Sequence, residues 1–354
     1  MPNSFLLYGA NGYTGELIAR YAHQYNLQPV LAGRSEAALS QLSAKLNLPY
    51  KIIDLNDKET LVAALKEVKV VVHAAGPFQF TAKQMVEACL ETETHYLDIN
   101  GDIVVFEMLK QFDIAAKHAD IMIMPGVGFD VVPTDCLALL LKKLLPDANK
   151  LQLAFAMTGS GLSHGTATTM ANNLGKGGAV RKNGKIVRLP LGKKGMWIDF
   201  GVKKLFVMSI PWGDISTAYF TTGIPDIETF AGVSAKTYKF LKLQPLFNWL
   251  LRTHFMRNFI KKKINKRAAG PTDDIREKAT GLIWGEVTNA AGKTASARLS
   301  GPEGYTLTLH STLIIVQKIL RGFSAPGYQT PAKVYGEDLV LEVPGVKREI
   351  ISET

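Results

Sequence analysis

The first 145 residues alternate between two hydrophobic periods. Short β-branched and aromatic runs predict strands at Phe5–Tyr8, Pro29–Ala32, Tyr50–Ile53, Lys69–Ala74, His95–Asp98 and Ile121–Met124. Between them, apolar positions three and four apart predict helices at Tyr13–Tyr25, Glu36–Leu46, Lys58–Glu67, Ala82–Glu91 and Val104–His118. Strands that alternate with helices in this way imply right-handed crossovers, and so a parallel sheet with helices on both faces. Pro133 opens one more helix, which runs to about Leu145 and stops at Pro146.

Past Lys150 the pattern changes. Strands are expected at Leu151–Met157, Lys185–Leu189, Met196–Gly201, Leu205–Ile210 and Ser216–Thr222, with a helix near Thr166–Leu174. Asn183-Gly184 signals a tight hairpin, and Leu282–Thr288 with Thr294–Ser300 forms a second one. Further helices are expected at Pro245–Arg267, near His310–Leu320 and at Thr330–Leu341. The fold class is therefore α/β: a parallel-sheet domain of Rossmann type plus a second α+β domain with a largely antiparallel sheet. The division placed on the chain is 1–150 for the first domain, completed by a C-terminal segment 327–354, and 151–326 for the second.

At 354 residues, two domains are the natural count for roughly 100–200 residues each. Hydrophobic residues at 47% and charged residues at 20% exclude a disordered chain. No run reaches the ~18 uncharged apolar residues that a membrane-spanning helix needs. The first residues carry no basic leader of the secretory kind. Cys89 and Cys136 sit in apolar helical stretches, as buried thiols in a reducing cytoplasm do. No Cys/His spacing suggests a metal site.

Charge changes the picture locally. The net is +10, from 41 basic and 31 acidic residues, and ten of the basic ones fall between Lys236 and Arg267, where there is no acid. The remainder is balanced overall, so the basicity is a patch and does not argue for a nucleic-acid-coating protein. Within it, Leu246, Phe247, Trp249, Leu250 and Leu251 precede the basic stretch from Arg252. A packed helix with a solvated basic end and a segment lying on a membrane surface both fit this contrast.

The most informative stretch is Gly9-Ala10-Asn11-Gly12-Tyr13-Thr14-Gly15, which joins the first strand to the first helix. A glycine-rich turn at this place in a βαβ unit cradles a dinucleotide's phosphates: Gly9 for the turn, Gly12 for close approach, Gly15 for helix–strand packing. The second strand ends in Leu31-Ala32-Gly33-Arg34-Ser35, where an NAD site would place an acid. A guanidinium and a hydroxyl suit a 2′-phosphate, so the cofactor expected is NADP(H). Asp54 is assigned to the adenine edge or to capping its own turn. Ala75, Gly76 and Pro77, after the fourth strand, let the cofactor lie against the backbone.

These stretches resemble the saccharopine dehydrogenase-like NADP-binding oxidoreductases, in particular the branch of trans-acting enoyl reductases. The resemblance rests on Tyr8–Gly15, Ala32–Ser35, Ala74–Phe78, Tyr96–Gly101 and Gly126–Asp135, and on Pro211–Asp214, Trp284–Val287 and Gly304–Leu307 beyond them. It implies a Rossmann domain closed by a C-terminal helix, with a substrate domain of mixed sheet. The family acts on both amino-acid adducts and lipid-like compounds, so the resemblance leaves the reaction open.

Hydride chemistry needs a cofactor, positioning and a proton source. The candidates are Asp98 and Asp130 at strand ends of the first domain, and His164 at a helix start in the second. Each has an ordinary alternative: Asp98 satisfying loop amides, Asp130 capping the next helix, His164 held in a loop. Arg181, Arg188 and Arg298 are the arginines available to grip substrate carboxylates, but the first two flank the Asn-Gly hairpin. The expectation is an NADP(H)-dependent reductase acting on a small, apolar enoyl or carbonyl compound. It would be cytoplasmic or peripheral on the inner face of a membrane through 246–267, with no nucleic-acid partner and with a homodimer left open. The alternative is a catalytically silent NADP(H)-binding sensor or membrane-docking protein.

Overall fold

The computed structural model describes residues 4–161, 163–164, 168, 177–241, 253 and 269–353. The chain divides into two compact units, Met1–Val132 with Gly304–Val343, and Pro133–Glu303 with Pro344–Thr354. The boundaries therefore fall at 132 and 303, where the sequence placed them at 150 and 326. The helix from Pro133 goes with the second unit, the helix from Gly304 with the first.

The first unit holds a seven-stranded parallel sheet, ordered β3-β2-β1-β4-β5-β6-β15. Its strands are β1 (Ser4–Tyr8), β2 (Gln28–Gly33), β3 (Tyr50–Ile52), β4 (Val70–His73), β5 (His95–Asp98), β6 (Met122–Met124) and β15 (Gly327–Tyr328). Phe5, Leu6, Leu7, Val70, Val71 and Val72 are fully buried, because helices cover both faces and no alternation is needed. The order reverses direction at β1, so the connections leaving β1 and β4 run to opposite sides of the sheet, the place at strand carboxyl ends where open α/β sheets bind ligands.

The second unit holds a nine-stranded mixed sheet along the path β10-β11-β12-β7-β13-β14-β16, with β8 and β9 attached through β12. These are β7 (Lys150–Thr158), β8 (Gly178–Lys182), β9 (Lys185–Leu189), β10 (Gly195–Asp199), β11 (Lys204–Ser209), β12 (Asp226–Gly232), β13 (Thr280–Thr288), β14 (Thr294–Pro302) and β16 (Lys347–Glu353). Only β7 and β12 pair in parallel; the other ladders are antiparallel. Asn183 and Gly184 both take positive φ, 50° and 74°, and close the β8–β9 hairpin.

Several expectations give way. Ser216–Thr222 is no strand: Asp214–Thr222 is a helix, started by bonds from the Ser216 and Thr217 amides to the Gly213 carbonyl and ended by Gly223 at φ 70°. Its threonines and aromatics mimic strand propensity, but Asp214 to Ala218 is buried without interruption, and packing overrides propensity. The helix expected over Thr330–Leu341 breaks at Gly336 (φ 85°) into Pro331–Tyr335 and a 3₁₀ turn at Leu339–Glu342. The helix expected over Val104–His118 is three pieces, Ile103–Leu109, Lys110–Phe112 and Asp113–His118. Strands β12, β15 and β16 were not foreseen. The helices expected at Thr166–Leu174 and Pro245–Arg267 fall almost wholly outside the described residues.

A truncation ending before Gly327 removes the edge strand of each sheet. Its melting temperature is expected to drop by more than about 5 °C, or the protein to become insoluble. A soluble truncation that melts with the full chain would contradict this placement of the edges.

Candidate functional site

The glycine turn follows from missing side chains. Gly9 sits at φ 86°, and a Cβ there would lie 2.8 Å from both the Ala74 carbonyl carbon and the Ala75 nitrogen. The turn can thus press against the end of β4 only because residue 9 has no side chain. A Cβ on Gly15 would strike the Gly9 carbonyl oxygen and stand 2.9 Å from Ala10 Cα. Gly12 caps the helix Tyr13–Tyr21 and brings no side-chain acceptor to its N-terminus, the end of a helix that attracts anions. Asn11 and Gly12 are exposed, Tyr13 and Thr14 half-buried and Gly15 buried. Tyr13 is also gripped from behind, edge-to-face with Tyr305 at 5.0 Å.

At the end of β2, Arg34 and Ser35 are exposed. Arg34 makes no hydrogen bond or ion pair among the described residues. Its charge is felt by the Tyr8 hydroxyl, where burial raises the pKa, Arg34 lowers it and Asp54 raises it. Ser35 Oγ accepts from the Ala38 amide at 3.4 Å and caps the helix Glu36–Leu46. Asp54 spends its carboxylate on its own turn, accepting from Asn56 N and Nδ2 at 2.9 Å each. After β4, Ala75 is half-buried and Gly76 and Pro77 are exposed, with a cis peptide between the last two.

The next two strand ends are locked together by one carboxylate. Asp98 is fully buried and accepts from Tyr96 Oη (2.7 Å), Asn100 N (3.0 Å), Asn100 Nδ2 (2.6 Å) and Gly126 N (2.9 Å). Burial raises its pKa against the pull of those donors. Tyr96 Oη also meets His73 Nδ1 at 3.3 Å, while buried His73 Nε2 has no hydrogen-bond partner among the described residues. Burial drives the His73 pKa down to about 3, so this imidazole is neutral at pH 7. Asp98 thus satisfies loop amides, the ordinary alternative to a catalytic role. His73, Tyr96 and Asn100, which the sequence reading left out of the site, complete the network.

Asp130 occupies the turn after β6. It lies against Gly101, whose Cβ would come within 2.5 Å of Asp130 Oδ2. It is half-buried, and burial pushes its carboxyl up to about 7. The turn is held by the helix Gly304–Leu320: Thr308 Oγ1 accepts from Phe129 N at 3.0 Å and Ser311 Oγ donates to Val127 O at 2.7 Å. The third catalytic candidate, His164, belongs to the second unit, where it is half-buried and its amide bonds the Ala269 carbonyl at 2.9 Å.

The first unit thus gathers at the carboxyl ends of its strands a glycine cradle, a helix N-terminus without a side-chain cap, an uncommitted guanidinium and a carboxyl shifted to about 7. The cradle and the guanidinium fit a phosphorylated dinucleotide. Gly9 to Gly15 would hold the pyrophosphate and Arg34 with Ser35 the 2′-phosphate, while Ala75 to Pro77 would line the far side.

Residues 5–124 match the family model described as the saccharopine dehydrogenase NADP binding domain. Over 236 residues the chain is 28% identical to a lipid droplet localized protein of Caenorhabditis elegans, covering 58% of this chain and 55% of that one. It is 31% identical over 140 residues to a trans-acting enoyl reductase of Mycobacterium leprae, covering 37% of this chain and 33% of the relative. It is 26% identical over 155 residues to the human saccharopine dehydrogenase-like oxidoreductase, covering 38% and 36%. The matches span about half or less of the length of these curated relatives. Apo saccharopine dehydrogenase (L-Glu forming) from Saccharomyces cerevisiae superposes with a TM-score of 0.67 at 14% identity, covering 99% of this chain and 100% of that one, a likeness of fold. The resemblance read from the motifs stands over residues 5–124, whose match to the NADP-binding domain of the saccharopine dehydrogenase family supports NADP(H) as the cofactor.

Arg34→Ala should weaken NADPH binding by about 10- to 150-fold, the worth of a hydrogen bond to a charged group, and leave NADH nearly unchanged. Calorimetry that finds equal affinity for the two cofactors in the unaltered protein would contradict Arg34's role.

His73 makes stability depend on pH. Its folded pKa lies below the unfolded value of about 6.5, so the stability its neutral form permits is present above pH 6.5 and lost as pH falls toward 3. Between pH 7.5 and 5.0 the unaltered protein should lose about 2 kcal/mol more than His73→Gln. Parallel urea titrations at the two pH values measure the difference, and equal losses would place His73 in contact with water.

Proposed function

We propose that this protein is an NADPH-dependent reductase of an apolar enoyl or carbonyl compound, with Asp130 as the proton donor. The observation that carries the reading is the Asp130 carboxyl, held at the rim where the cofactor domain gathers its loops and shifted to the pH at which an acid can both give and regain a proton. Bound NADPH supplies a hydride. The chain's own share is to hold the phosphates on Gly9–Gly15, to select the 2′-phosphate with Arg34, and to deliver one proton from Asp130. That proton goes to the carbonyl oxygen or the α-carbon that gains negative charge. Water reprotonates Asp130 between turnovers.

An apolar substrate is supported by what the second unit's arginines do. Arg181 is buried and donates to the carbonyls of Ile215 (2.5 Å) and Gly184 (2.6 Å). Arg298 is paired with Glu349 through two bonds of 2.9 Å. Arg188 stands exposed on the hairpin strand β9. Arg181 and Arg298 are thus committed inside the fold, which leaves fewer guanidinium groups for the several carboxylates of an amino-acid adduct. The relatives' names, one an enoyl reductase and one lipid-droplet localized, lean the same way. Membrane attachment through 246–267 extends the proposal, though nearly all of that segment lies outside the described residues. No described helix is long and apolar enough to cross a membrane.

Oxidation of NADPH, followed at its absorbance band against medium- and long-chain enoyl thioesters and ketones, tests the activity. The turnover rate should fall as pH rises through about 7, as Asp130 loses its proton. Asp130→Asn should lower the rate by about 10²- to 10⁴-fold, abolish that pH limb and leave NADPH affinity intact. No turnover with any apolar carbonyl, but turnover with an amino-acid imine, would reverse the substrate assignment.

A further inference from the structure

The balance of charge outside Lys236–Arg267 conceals a second concentration. From Gly178 to Phe206 the chain carries eight basic residues and one acid, Asp199. All of this stretch lies on four described strands, β8 to β11, and their turns. Arg181 is consumed inside the fold, and Lys194 pairs with Glu228 at 2.6 Å. Lys182, Lys185, Arg188, Lys193, Lys203 and Lys204 are exposed.

Basic residues along a sheet edge have a common explanation. Lysines blunt the open edge of a terminal strand, and β10 is terminal on its sheet's path. That explanation covers the lysines and fails for the apolar residues among them. Trp197, in the middle of β10, is 59% exposed, and Val202, at the tip of the β10–β11 turn, is 76% exposed. A strand guarded against association would not display an indole there. The tip is also built to present its valine. Asp199 accepts from the Gly201 amide at 2.8 Å, Gly201 takes φ 85°, and the Phe200 amide bonds the Lys203 carbonyl at 3.1 Å.

Nor is Trp197 a loose side chain. It stands edge-on to Phe206 at 5.5 Å, and Phe206 meets Tyr238 at 5.0 Å, so it is the outer end of a row of rings. Gly195 lets this row form: a Cβ there would sit 2.6 Å from Phe206 Cζ and 2.7 Å from Tyr238 Cζ. Lys204 faces the same side of the sheet as Trp197, since Trp197 pairs with Phe206 and Asp199 with Lys204 across the ladder.

We propose that the β10–β11 hairpin docks on anionic lipid surfaces, with Trp197 and Val202 entering the headgroup region and Lys193, Lys203 and Lys204 meeting the lipid phosphates. A rigid indole with an apolar body and one N–H suits the interface between acyl chain and water. Lysine stems can lie along apolar lipid while their ammonium groups stay in the headgroups. Nucleic acid offers phosphates but no acyl layer to receive Val202. A second copy of the chain would bring the same positive charge to the contact. This inference does not depend on the reductase reading and holds for a catalytically silent protein as well.

Sedimentation of the full chain with vesicles of phosphatidylcholine, alone or mixed with phosphatidylglycerol, tests it. Binding is expected to the mixed vesicles at low salt and to weaken steeply in high salt. The double variant Trp197→Asp with Val202→Asp, and separately Lys203→Glu with Lys204→Glu, should each lower partitioning at least about tenfold. Melting temperature and NADPH affinity should stay as in the unaltered protein. If the apolar pair disturbs folding, the charge pair alone decides, because both its side chains are exposed. Failure of the unaltered protein to sediment with the mixed vesicles would overturn the proposal. So would undiminished binding by both variants, which would place the lipid contact elsewhere in the chain, or a dimer that the variants dissociate without any vesicle affinity.

Discussion

The rim of the cofactor domain depends on one buried carboxylate. Asp98 ends β5 with no contact to water, and four donors from Tyr96, Asn100 and Gly126 converge on it. A carboxylate buried without partners would be intolerable. Supplied with four, it becomes a fixed point at which the loop after β5 and the loop after β6 must meet. The Val127 amide adds a bond of 2.8 Å to the Asp98 carbonyl, so both the side chain and the backbone of this residue tie the same two loops. Asp130 and Gly101 come face to face as a consequence. The position of Asp130 therefore rests on a residue buried away from solvent.

Burial sorts the ionisable groups of this rim by what they can do. Asp98 and His73 are both fully buried: four donors satisfy the carboxyl of the first, while burial among Tyr8, Phe78 and Tyr96 keeps the second neutral. Arg34, Ser35 and Asp54 are exposed, which suits contact with a ligand that comes and goes. Of the two charges near Tyr8, Asp54 is bound into its own turn by Asn56 and Arg34 is not. Of the two, the arginine is the one whose side chain stays available to a ligand. Asp130 lies between these extremes, buried enough to hold its proton near neutrality and open enough to pass it on.

The sequence disclosed what is local. A strand, a glycine turn and a helix within the first 21 residues form one contiguous unit, and the missing Cβ at Gly9 and Gly15 is written directly in the chain. The Arg34-Ser35 ending of β2 was equally legible, since the test is the presence or absence of one acid. The Asp98 network was not: its donors lie 2 to 28 residues away, and no spacing rule foretells that Gly126 N will point at it. The helix Asp214–Thr222 was misread because its alternating β-branched residues carry strand propensity, whereas its burial is decided by neighbours distant in sequence. Strand β16 escaped notice because an edge strand of Lys347-Arg348-Glu349-Ile350-Ile351 has too few apolar residues to announce itself.

The same contrast governs charge. A net of +10 reads as a single number, and subtracting the residues of one basic segment leaves a neutral remainder. Only the topology reveals that this remainder is uneven, because β8–β9 and β10–β11 each fold into a hairpin and the first sets Lys182 opposite Lys185 across its ladder. Electrostatic attraction to a charged surface depends on local density within about a Debye length, roughly 8–10 Å, and so on hairpin geometry more than on totals. Adjacent strands stand about 4.8 Å apart, which puts cross-strand lysines inside that distance even when many residues of chain separate them. Sequence counts therefore understate such patches wherever antiparallel ladders fold basic segments onto themselves, and an exposed tryptophan among them is the sign that the charge has something to meet.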